Sequence, residues 1–144
     1  MLKGILAISG KPGLFKLITN AKNSIIVESL IDGKRIPAYA TSKISSLEDI
    51  SIFTMDGDAK LADVFVKIFE GNLEVDPKKA SSAELKKAFS EALPDYDEER
   101  VYVSDIKKVF AWYNILKAKE VISSEAVEAY KKGEDEENAE ENNE

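Results

Sequence analysis

The chain has 144 residues, 44% apolar and 33% charged, with a formal net charge of −7; this composition supports a packed core in one ordinary domain or two very small ones. It holds neither histidine nor cysteine. This excludes Ser-His-Asp and Cys-His nucleophilic sites, structural zinc, thiol redox chemistry and histidine-ligated haem.

From Leu2 to Thr54 short apolar runs alternate with turn signals, which is the pattern of strands. Ile5 to Ile8 is the first, ended by Gly10-Lys11-Pro12-Gly13. Leu14 to Thr19 is the second, and a polar turn at Asn20 to Asn23 leads into Ile25 to Leu30. Asp32-Gly33 reads as a two-residue hairpin turn, with Lys34 to Tyr39 as the partner strand. Pro37 cannot donate to a ladder, so that strand belongs at an edge or carries a bulge. Ser45 to Asp49 reads as one serine-capped helical turn before a fifth strand, Ile50 to Thr54. The expected fold is α+β, opening with a small SH3-like β-barrel or curled antiparallel sheet.

Met55 to Asp58 reads as a turn, after which the period becomes helical: Leu61, Val64, Phe65, Ile68 and Phe69 share one face and Gly71 follows. Asn72 to Ala80, with Pro77, reads as a linker. Ser81 and Glu84 have capping-box spacing ahead of Leu85, Ala88, Phe89, Ala92 and Leu93, a stripe that ends at Pro94. Val101 to Val103 reads as extended. Ser104 then caps a third helix bearing Ile106, Val109, Phe110, Tyr113 and Leu116, and Ser123 or Ser124 caps a last one through Tyr130. The expected organisation is a β domain with its packing helix at 1–71, a linker at 72–80, a helical domain at 81–132 and a disordered acidic tail at 133–144.

Charge falls in blocks. Residues 1–45 carry seven basic residues against Glu28 and Asp32, a balance of plus five, and residues 46–132 carry a balance of minus five. The net charge therefore equals that of the tail, whose seven carboxylates are accompanied by no base and nothing larger than Ala139 among apolar residues.

Few motifs carry chemistry. The loop Asp95 to Glu99 invites comparison with a calcium-binding EF-hand, but counting from Asp95 places Arg100 where glycine is needed and Ile106 where glutamate is needed. Gly10-Lys11-Pro12-Gly13 lacks the spacing of a phosphate-cradling loop and reads as a turn. Lys11, Lys16, Lys34, Arg35 and Lys43, with Phe15 and Tyr39 nearby in sequence, are the candidate nucleic-acid contacts. The plainer reading of these lysines is a solvated face that protects edge strands. Trp112 and Tyr113 point about 100° apart on a helix, so they cannot both face one core; Trp112 and Tyr39 are the candidate partner contacts.

The residues Ile8-Ser9-Gly10-Lys11-Pro12-Gly13-Leu14-Phe15-Lys16, Ile26 to Leu30, Arg35 to Tyr39 and Ile44 to Thr54 resemble the N-terminal domain of a Bacteroidetes family known as a domain of unknown function. Val103 to Tyr113 is similar to that family's small helical C-terminal domain. The resemblance spans nearly the whole body, implies two modules and a bacterial cytosolic setting, and brings no activity, ligand or site residue. The tail lies outside it.

The expected function is that of a non-enzymatic cytoplasmic binding or adaptor protein with a protein partner, without cofactor or metal. A nucleic-acid or ribosome-associated protein, with RNA or DNA as partner and the tail as competitor, is the alternative. No apolar run approaches the roughly 18 residues of a membrane helix, so no membrane role is expected.

Overall fold

The computed structural model describes residues 1–11, 13–39 and 42–133. The acidic tail, apart from Gly133, lies outside the described residues. Five antiparallel strands, β1 (Ile5–Ile8), β2 (Phe15–Ala21), β3 (Ser24–Ser29), β4 (Arg35–Tyr39) and β5 (Ile44–Ser46), form one sheet in the order β4-β3-β2-β1-β5. The edge strands β4 and β5 do not pair. Of the two forms expected for this region, the sheet is therefore the open one, not a closed SH3-like barrel. Pro37 sits on edge strand β4, where its missing N–H leaves no gap inside the sheet.

The strand expected at Ile50 to Thr54 leaves the main sheet. A 3₁₀ turn at Leu47–Asp49, with Leu47 fully buried and no serine side-chain cap, redirects the chain. Beyond it, β6 (Ser51–Thr54) and β7 (Gly57–Lys60) form a separate hairpin, so the turn expected at Met55 to Asp58 shrinks to two residues. The Leu61 N–H donates to the Ile50 carbonyl at 3.0 Å, which ties this hairpin to the first helix. Asp32-Gly33 likewise differs from expectation. Only Gly33 takes a positive φ, and its N–H closes on Ser29 while the Ser29 N–H closes on Lys34, giving a loop longer than two residues.

Each face of the sheet is buried differently. Along β1, Leu6 and Ile8 join Phe15, Val27 and Ala38 in a small core on the sheet's inner face. Ile5 points the other way and joins the main core, which runs from Leu2, Leu14, Leu30 and Leu47 through all four helices found among the described residues. Those helices are α1 (Leu61–Glu70), α2 (Ser82–Ala92), α3 (Val103–Ala118) and α4 (Ser124–Lys132). At the centre, Phe65 of α1 meets Tyr113 of α3 with ring centroids 6.1 Å apart, and Phe89 of α2 meets Phe110 edge-on at 6.4 Å.

The helix starts follow local hydrogen bonding. Ser81 Oγ accepts the Glu84 N–H at 3.1 Å while Glu84 Oε1 accepts the Ser81 N–H at 3.3 Å, completing the capping box at α2. Ser123 caps α4 by accepting the Ala126 N–H. Of the extended piece expected ahead of α3, Tyr102 keeps an extended backbone, at φ −90° and ψ 162°. Asp105 accepts the Tyr102 N–H at 3.0 Å, so the helix begins at Val103 and Ser104 is already inside it. Residues 72–80 are fastened to α3, since Asn114 Nδ2 donates to the Val75 carbonyl at 2.9 Å and Lys117 pairs with Glu74. No helix among the described residues is long and apolar enough to cross a membrane.

The loop between α2 and α3 closes over β6. Met55 N–H donates to Asp95 and Asp97 N–H to Phe53, both at 2.9 Å. The Asp97 carboxylate accepts the Arg100 Nε–H at 2.8 Å and the Glu99 N–H at 3.0 Å. The Arg100 hydrogen bond, partly offset by desolvation, holds the Asp97 carboxyl below its ordinary range.

Three outcomes are expected. Phe65→Ala opens a cavity at the centre of the main core and should cost about 3–5 kcal/mol in urea unfolding. Ser81→Ala should cost about 1 kcal/mol, without altering the core. Because its pKa is lowered on folding, Asp97 stabilises the fold above the unfolded carboxylate pKa and loses that contribution as pH falls through the folded value. The stability gap between wild type and Asp97→Asn, measured by urea unfolding, should therefore be present at neutral pH and close in acid.

Candidate functional site

α3 is apolar on two opposite sides. Ile106, Val109, Phe110, Tyr113 and Leu116 are buried against the other helices, whereas Ala111, Trp112 and Ile115 turn toward the sheet and are only partly covered. Between this second face and the sheet lies a cleft of about 570 Å³. Its sheet wall runs along β1 from Ala7 into Ser9, Gly10 and Lys11 and across to Lys43 and Ser45 beside β5; its helix wall presents Lys108, Ala111, Trp112 and Ile115. Gly13 forms part of the floor at φ +82°, and a Cβ there would lie 2.3 Å from the Ile31 side chain.

Pairing of β1 with β5 creates the basic wall. Ile8 lies opposite Ile44, and the Ser9 N–H donates to the Lys43 carbonyl at 2.9 Å, so the turn bearing Lys11 is held beside Lys43. Lys108 enters from α3, one helical turn before Trp112 and on the same side. These three lysines are exposed, and among the described residues no carboxylate lines the cleft. Among the described residues none of the three has an ion-pair partner.

Trp112 and Lys108 also line a second, more enclosed cavity of about 240 Å³. Ile50, Ile52, Val101 and Val109 supply its apolar wall, and Asp105 and Arg100 its polar rim. At the mouth the Arg100 guanidinium lies 4.3 Å above the centre of the Phe53 ring. Phe53, Met55 and Tyr102, all from the segments flanking this mouth, are 42%, 71% and 65% exposed. Among the described residues no group of three or more carboxylates is placed to hold a metal ion.

The basic residues singled out in the sequence divide into two groups. Lys11 and Lys43 meet at the cleft. Lys16 and Arg35 instead flank Glu28 in one cross-strand row, with Arg35 Nε 3.3 Å from Glu28 Oε1, and Lys34 lies in the adjoining loop. Tyr39 is exposed at the far end of β4, opposite Ser24, away from Trp112. Lys108, Phe53 and Arg100 were not among the sequence candidates. Lys108 carries a readable signal, its spacing of four from Trp112; the other two reach the site only through the loop that folds over β6.

Two families match this chain, each described as a domain of unknown function: DUF5606 over residues 2–47 and DUF6852 over residues 50–116. No curated protein matches it. Among solved structures, the chain is similar to a Bacteroides vulgatus protein determined by solution NMR as a structural genomics target. The two share 44% identity over 85% of this chain and 90% of that one, with a TM-score of 0.70. The chain thus belongs to one family with the Bacteroides vulgatus protein, and in it DUF5606 is followed by DUF6852.

Proposed function

We propose that the protein is a non-enzymatic adaptor of the bacterial cytosol that binds another protein at the cleft and cavity on either side of Trp112. The observation that carries this reading is the position of Trp112. It is the chain's single tryptophan, half-buried as a wall between two concavities, and an exposed Phe53 and Arg100 line the smaller one. Tryptophan and arginine beside a preformed pocket are residue types that dominate binding energy at protein interfaces. An enzyme reading has little to draw on, since among the described residues neither the Ser9 nor the Ser45 hydroxyl is hydrogen-bonded to a lysine side chain that could act as its base. The absence of cysteine accords with a reducing compartment.

Photo-crosslinking tests this reading. Benzoylphenylalanine in place of Phe53, at the mouth of the pocket, should yield discrete protein adducts in native cells, and Trp112→Ala should remove them while leaving the far-ultraviolet spectrum unchanged. The same probe in place of Lys22, in the distant β2–β3 turn, should yield none. Identical adducts from both positions, or none from position 53, would overturn the proposal.

A further inference from the structure

We infer that the segment bound at this site is an acidic stretch of a partner protein carrying one large apolar or aromatic side chain, with its carboxylates over Lys11, Lys43 and Lys108 and that side chain in the cavity behind Trp112. The inference rests on the protein-binding reading and adds the chemistry of the partner.

Charge fixes one end of the segment. Three exposed lysines converge on the cleft from two elements, and among the described residues no carboxylate shares its lining, so the lining attracts an anion. Size and lining fix the other end. At about 240 Å³ the adjoining cavity is below the range of roughly 300–1,000 Å³ typical of sites for whole small molecules, and its apolar wall suits one inserted side chain. Trp112, Lys108 and Ile50 line both spaces, so a single segment can occupy the two together.

A nucleic-acid strand satisfies the first end and fails at the second. Passing Trp112 would bring its phosphates to a lining that mixes Asp105 with Arg100, and beyond it to the loop of Asp97, Glu98 and Glu99, so the attraction over the three lysines does not continue along the strand. The chain's own acidic residues 134–144 satisfy the charge but contain no apolar side chain larger than Ala139, so they lack the anchor. An acidic segment with one apolar anchor meets both conditions.

The test uses the full-length, nitrogen-15-labelled protein and four probes. These are a short Asp/Glu peptide with one central Phe, the same peptide with Phe replaced by Ala, its Asn/Gln counterpart that keeps Phe, and an oligouridylate. The acidic Phe peptide should shift the Trp112 indole signal and the amides of Lys11, Lys43 and Ala111, with affinity falling as salt is raised. Loss of Phe should weaken binding about tenfold or more, and loss of the carboxylates should also weaken it. The triple variant K11E/K43E/K108E, which alters only exposed side chains, should lose the acidic peptide while its amide spectrum stays dispersed. Shifts confined to another surface, salt-independent binding, equal affinity without Phe, or tighter binding of oligouridylate at the cleft would each overturn the inference. If no probe perturbs the cleft while Trp112-dependent adducts persist from position 53, the partner chemistry is wrong and the protein-binding reading stands. If the adducts are also lost, both fall.

Discussion

The two-sided apolar character of α3 is the constraint on which the remaining structure depends. A helix that is polar on one side can end a domain, but one that is apolar on opposite sides must be covered twice. One side of α3 closes completely, with Ile106, Phe110 and Leu116 fully buried against the other helices, each such side chain contributing about 1.5–3 kcal/mol. The opposite side faces a small sheet whose inner face already carries a separate core around Phe15 and Val27. Only the outer face, with Ile5 and Ala7, remains to meet α3, and Trp112 and Ile115 stay partly uncovered. The cleft is the consequence of this incomplete second cover.

Its chemistry comes from sheet pairing rather than overall charge. The formal net charge of −7 describes the whole chain and says nothing of the local surface. Antiparallel pairing of β1 with β5 brings Lys11 to Lys43, and the rotation of α3 adds Lys108, making a cationic wall on a protein that is acidic in sum. A few residues away Asp105 and the Asp97–Arg100 loop reverse the sign. The site is therefore polar along its length, with Trp112 at the crossing.

Much of this fold is legible in the sequence wherever a local interaction decides the outcome. The Ser81–Glu84 box, the edge position of Pro37 and the helical stripes of α1 to α4 each follow from residues within one turn or one strand. β5 and β7 are not legible: Ile44-Ser45-Ser46 and Gly57-Asp58-Ala59-Lys60 have no apolar alternation long enough to mark a strand, and they extend because a partner strand supplies their hydrogen bonds. The start of α3 is missed because a carboxylate at Asp105, rather than the hydroxyl of Ser104, satisfies the first free N–H. Of the site, Trp112 and the two sheet lysines are visible as candidates. That Lys11, Lys43 and Lys108 share one cleft while Lys16 and Arg35 flank Glu28 depends on strand order, which sequence spacing does not contain.

Trp112 lies accessible in a cationic cleft between sheet and helix. Being the only tryptophan, it reports on its own surroundings. Fluorescence quenching of the full-length protein by iodide and by caesium at equal ionic strength measures both accessibility and local sign. Iodide should quench markedly better than caesium, and that preference should collapse in K11E/K43E/K108E. Equal quenching by both ions, a caesium preference in the wild type, or an iodide preference that survives the triple substitution would contradict the cationic cleft.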